Sequence, residues 1–158
     1  MNKQNTMLLT ILVISFLLIA FFGYTYYSEG VAIQQIKVEI EKINNINPKF
    51  TSATLTFTMN ITNPTSKHIN DLSSTFDIYI ESNYIGKGSF SDIDIDPFST
   101  TYESMSVIVY YNGLADATVD LIKNWVIGEE TKLTINGTMK ASVLFGLAEA
   151  SQEFTGST

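Results

Sequence analysis

The 158-residue chain has no cysteine and no arginine, one histidine and three prolines. Without cysteine there are no disulfides, no thiolate ligands and no thiol nucleophile. His68 is the lone imidazole and sits in a polar turn, so one chain cannot build a metal site from several histidine or cysteine ligands. A single histidine gives no reason to infer a Ser-His-Asp triad, and no Gly-x-Ser-x-Gly elbow occurs. The nine basic residues are all lysines, spread singly against sixteen acidic ones for a net charge of −7. Nucleic acid needs a clustered basic surface, so it is not an expected partner. Anionic head groups would repel such a domain, so attachment to a membrane must come from elsewhere in the chain. The expectation is a chain without catalytic residues, cofactor or metal.

What is present begins with an uncharged stretch from Met7 to Tyr27. As a helix rising about 1.5 Å per residue it reaches roughly 31 Å, the thickness of a bilayer's hydrocarbon core. It is longer than a secretory apolar region, and Ser28-Glu29-Gly30 is a poor cleavage site, which favours an anchor over a removed leader. Lys3 and the α-amino group precede the stretch and Glu29 follows it, while Tyr24, Tyr26 and Tyr27 stand where an aromatic belt would lie. The reading is a tail at 1–6 in the cytoplasm, a single membrane span at 7–27, a connector at 28–33 and an extracytoplasmic domain at 34–158. Asn60-Ile61-Thr62 and Asn136-Gly137-Thr138 match a glycosylation acceptor pattern, which is compatible with an outside location.

The domain reads as β. In Thr54 to Pro64, Leu55, Phe57, Met59 and Ile61 alternate with Thr54, Thr56, Thr58, Asn60 and Thr62, giving a strand with one dry and one wet face. Pro64 lacks a ladder donor and holds Asn63 extended, so Asn63-Pro64 ends the strand and the Asn63 side chain caps the turn. Ile36, Val38 and Ile40 form an earlier strand, and Asn44 to Pro48 reads as a loop. Phe76, Ile78 and Ile80 turn at Ser82-Asn83 into a hairpin partner over Tyr84 to Phe90, where Gly86 and Gly88 suggest a bulge or a close backbone approach. Ile93 with Ile95, then Met105 to Tyr111, then Leu133 to Val143 around Gly137 continue the alternation, with a weaker strand at Ser151 to Phe154. Leu114, Ala117, Leu121, Ile122 and Trp125 recur at helical spacing, placing one helix over 114–126 before Gly128. The fold class is mainly β: an antiparallel, immunoglobulin- or fibronectin-like sandwich of about seven strands with one short helix, preceded by a transmembrane helix.

Two motifs imitate known sites. Asp92, Asp94, Asp96 and Glu103 have the carboxylate spacing of a calcium loop, but Pro97 stands where its sharp turn needs glycine and no helix flanks it. They read as the wet side of a strand whose dry side is Ile93 and Ile95. Ile85-Gly86-Lys87-Gly88-Ser89 lacks the glycine spacing of a phosphate loop. Trp125, spaced with Leu121 and Ile122, reads as core rather than as a ligand platform.

The strand ending in Asn63-Pro64, then Ile85-Gly86-Lys87-Gly88, the link Pro97 to Thr101, the strand Met105 to Tyr111, the lone helix and Leu133-Thr134-Ile135-Asn136-Gly137 occur in that order. In this the chain resembles the late-embryogenesis-abundant type 2, or water-stress and hypersensitive-response (WHy), domain family. The resemblance implies a compact antiparallel sandwich, frequent membrane anchoring and an association with desiccation and other stress. It supplies no catalytic residues, and Asn63, Pro64, Gly86, Gly88 and Gly137 enter as structural landmarks. The leading expectation is a non-enzymatic, membrane-anchored domain that protects or organises the cell surface under water or osmotic stress, with a lipid or protein partner there. Alternatives are a module binding a lipid or other apolar ligand between its sheets, and a pilin-like surface subunit, although no glycine precedes the apolar segment for prepilin processing.

Overall fold

The computed structural model describes residues 3–126 and 131–158; the first two residues of the expected tail and Gly128 lie outside them. Helix α1 runs Lys3–Ile33 and is the one helix among the described residues long and apolar enough to cross a membrane. Its side chains from Met7 to Tyr24 are all exposed, Leu8 and Leu12 each to 67%. The expected connector at 28–33 is helical instead. Ala32 and Ile33 are buried in the core of the β domain, and that packing holds the last turn helical beyond the apolar run. The core of the β domain therefore includes residues of the last turn of α1.

Seven strands follow: β1 Lys37–Pro48, β2 Ser52–Asn63, β3 Ile69–Ile80, β4 Asn83–Ile95, β5 Ser99–Tyr110, β6 Leu133–Val143 and β7 Ala148–Ser157. Helix α2, Asp116–Val126, lies between β5 and β6. The strands form two antiparallel sheets, β1-β2-β5 and β4-β3-β6-β7. The sheets also touch along both sides, β4 against β5 and β1 against β7, so the sandwich is nearly closed. Between them Phe57, Met59, Ile61, Leu72, Ile78, Ile135 and Met139 are fully buried, which is the dry face that the alternation predicts. Each such side chain contributes about 1.5–3 kcal/mol relative to exposure. Ile122 of α2 closes the core, with Trp125 half-buried against it.

Several boundaries differ from the sequence expectation, among them the start of β5 at Ser99, inside the expected link Pro97 to Thr101, where pairing with the end of β2 extends the strand. Asn44 to Pro48 is strand, because bulges between Ile40 and Lys42 and between Ile43 and Asn45 keep Ile40, Ile43 and Ile46 turned toward the core despite their three-residue spacing. Tyr84 to Phe90 and Ile93-Ile95 belong to one strand, bent where Ser91 and Asp92 face only Ser73 and where Asp92 takes φ 58°. The last strand spans ten residues rather than four, carried by pairing with β6. Helix α2 starts at Asp116, two residues after Leu114.

Because every strand reverses, the sandwich has two ends. The end entered by α1 carries the β2–β3 link at 64–68, the β4–β5 turn at 96–98 and the β6–β7 turn at 144–147. The far end carries residues 49–51, the β3–β4 turn and α2.

Candidate functional site

Asn63 organises the end that α1 enters. It is completely buried, and its Nδ2 donates to the carbonyls of Lys67 at 2.7 Å and Asp96 at 3.1 Å. Its Oδ1 accepts from the Thr65 backbone N–H at 3.0 Å and the Thr65 hydroxyl at 2.8 Å. The amide thus caps the turn, as the Asn-Pro pattern suggests, and also ties the end of β2 to the end of β4, which belongs to the other sheet. Pro64 starts the link with no donor to leave unpaired.

Beside this knot lies a half-open cleft of about 480 Å³ lined by Glu29, Lys67, His68, Asp71 and Asp94 among others. His68 Nδ1 lies 3.0 Å from Asp96 Oδ1, and Asp94 Oδ1 accepts from the Asp71 backbone N–H at 3.0 Å. Asp92, Asp94 and Asp96 are exposed while Ile93 and Ile95 are buried, the alternation of an ordinary strand. Among the described residues no three carboxylate or histidine side chains gather as a metal site would require.

The glycines frame one side chain. Phe76 stands opposite Gly88 on β4 and Gly137 on β6, and its ring packs against Phe90 and Phe154. A Cβ at Gly137 would fall 2.4 Å from Phe76 Cβ and from the Thr75 carbonyl oxygen, and one at Gly88 would fall 2.5 Å from the Phe76 ring. Gly86 borders the register shift between Ile78 and Tyr79, so the bulge expected from the glycines lies there, and Gly88 is the close approach. All five landmark residues are explained by backbone geometry and packing.

The outward face of β2 and β5 is uncharged. Thr54, Thr56, Thr58, Asn60 and Thr62 pair with Ile108, Ser106, Ser104, Tyr102 and Thr100. Hydroxyls meet across the strands at 2.8 Å for Thr56 with Ser106 and 2.9 Å for Thr62 with Thr100, and Asn44 Nδ2 donates to Thr58 Oγ1 at 2.8 Å. Of the two acceptor-pattern asparagines, Asn136 is exposed and Asn60 half-buried.

Sequence reasoning passed over the 144–147 turn and took Glu29 only as the first charge after the apolar stretch. Leu144 donates its backbone N–H to Glu29 Oε2 at 2.7 Å, fastening the turn to α1. The available signal was an apolar run, Leu144-Phe145-Gly146-Leu147, where turn chemistry favours polar residues.

No family model matches the chain, and no curated protein matches it in sequence. Several solved structures are similar. A protein from Arabidopsis thaliana, determined in solution, is 17% identical over 77% of this chain and 76% of its own, with a TM-score of 0.46. A crystallised protein from Archaeoglobus fulgidus is 14% identical over 78% and 92%, with a TM-score of 0.42. A solution structure provisionally described as a late embryogenesis abundant (LEA) protein is 13% identical over 94% and 83%, with a TM-score of 0.47.

Proposed function

We propose that this chain is a membrane-tethered, non-catalytic β-sandwich of the late-embryogenesis-abundant type 2 kind, which protects the membrane surface next to it during water loss. The observation that carries the reading is the joining of an uncharged helix of membrane length to a sandwich whose β2–β5 face offers hydroxyl and amide groups without charge. Such groups hydrogen-bond to head groups or to neighbouring solutes as water is withdrawn, without needing a specific ligand geometry. Burial of Ala32 and Ile33 supports an anchor kept in the mature protein, since cleavage after Gly30 would free two core residues from the helix that positions them. The order of the landmarks from Asn63-Pro64 to Gly137 supports the family reading, each of them having a place in the packing of the sandwich. Lys3 and the α-amino group before the apolar stretch support a sandwich on the outer side.

The test is drying and rehydration of vesicles that carry the full chain and a trapped dye. Retention above that of vesicles bearing an equal mass of an unrelated single-span protein is expected. Equal leakage would overturn the protective role.

A further inference from the structure

We propose that the end of the sandwich entered by α1 rests on the same bilayer that holds the helix, with Phe98, Phe145 and Leu147 inserted at head-group level. This rests on the tether reading above and adds a second, peripheral contact to it. The three side chains are 72%, 74% and 78% exposed. They come from two separate turns, 96–98 and 144–147, yet both turns lie at the end where α1 joins the domain.

The backbone presents them deliberately. Phe98, Leu144 and Phe145 adopt φ of 54°, 54° and 60°, a left-handed conformation uncommon for bulky side chains. Phe98 is held by its N–H to the Thr65 carbonyl at 3.0 Å, and the other turn by Gly146 to Val143 at 3.2 Å and Leu147 to Leu144 at 3.1 Å. Leu144 is in turn fixed to Glu29 at 2.7 Å. Glu29 stands two residues past Tyr27, about 3 Å of helical rise beyond the last residue of the uncharged stretch. The turn is therefore moored where the hydrocarbon gives way to head groups, and an apolar face at that level sinks about 5–10 Å into the boundary.

The bilayer is the occupant because the 144–147 turn is bonded through Leu144 to Glu29, on the same helix that the tether reading places in it. No basic patch directs the contact: His68 at this end lies 3.0 Å from Asp96, and Lys67 lines a cleft together with Glu29, Asp71 and Asp94, so the contact is made by the apolar side chains and does not need anionic lipid.

The absence of cysteine makes the experiment direct. Full-length F98C, F145C and L147C, each carrying an environment-sensitive fluorophore, are reconstituted into phosphatidylcholine vesicles with nitroxide-bearing lipids. F50C is the control, 99% exposed at the far end of the sandwich, and L17C reports the span. The expected result is quenching of the three base labels by a shallow nitroxide at least about twice that at position 50, unchanged by added salt, with the label at 17 quenched by a deep nitroxide. Base labels that behave like position 50 while position 17 is quenched would overturn the seat and leave the tether standing. An unquenched label at 17 would overturn both. A blue shift at the base that grows with protein-to-lipid ratio without lipid quenching would assign the patch to a second copy of the chain and overturn the proposal.

Discussion

Glu29 Oε2 accepts a hydrogen bond from the Leu144 backbone N–H at 2.7 Å, joining residues 115 apart in sequence. A charge-assisted bond at a half-buried site contributes on the order of 1 kcal/mol. Glu29→Ala should lower the detergent-solubilised protein's stability by about that amount, and Glu29→Gln, which keeps an acceptor, by less. Urea midpoints for the two variants compare them directly, and equal midpoints would mean that the bond contributes nothing.

Asn63→Ala strips the partner from two carbonyls, those of Lys67 and Asp96, inside the protein. The expected loss is about 2–3 kcal/mol with no loss of any chemical activity. Asn63→Asp should be worse, because it turns an oxygen toward both carbonyls where an N–H₂ group now donates. Denaturant unfolding of the three proteins gives the order, and an aspartate variant as stable as the native chain would contradict the assigned amide orientation.

The glycines should rank by what a methyl group meets. At Gly137 it strikes backbone, so Gly137→Ala should cost about 3 kcal/mol or more. At Gly88 it strikes the Phe76 ring, which can shift, for about 1–3 kcal/mol and partial recovery on adding Phe76→Leu. At Gly86 the nearest atom is Val107 Cγ1 at 3.6 Å, an ordinary contact, so Gly86→Ala should stay within about 0.5 kcal/mol. Melting temperatures of the series test this order.

Phe57→Asp places a carboxylate at a position with no solvent access, in the middle of β2. The variant should fail to fold, because burying an unpaired charge costs more than a domain's whole margin of stability. A cooperative melt from this variant would show that the strand is assigned to the wrong face.

The sequence made the strands legible wherever period-two alternation ran unbroken, as in β2, where Leu55, Phe57, Met59 and Ile61 are all buried as expected. It failed where geometry interrupts the period. In β1 two bulges carry Ile43 and Ile46 to the core at a spacing that imitates a loop, and Asn44, a turn former, instead bonds Thr58 on the neighbouring strand. In β7 the inward positions include Ala148, Ala150 and Gln152, too small or too polar to announce a strand. At α1 hydropathy marks where the apolar run ends, at Tyr27, whereas the helix continues to Ile33, which packs in the core of the sandwich. Asn63 was readable as a cap because its chemistry is local; its reach to Asp96, 33 residues away, is tertiary.

The union of α1 with β6 and β7 also has a meaning in time. The last turn of α1 is made before every strand of the sandwich, and β6 and β7, which pack on it, follow the other five strands. At about 5–20 residues per second, the 115 residues between Glu29 and Leu144 take on the order of 10 s to emerge. Through that interval Ala32 and Ile33 wait without the β6 and β7 strands that pack against α1, and the sandwich closes only once β7 has emerged.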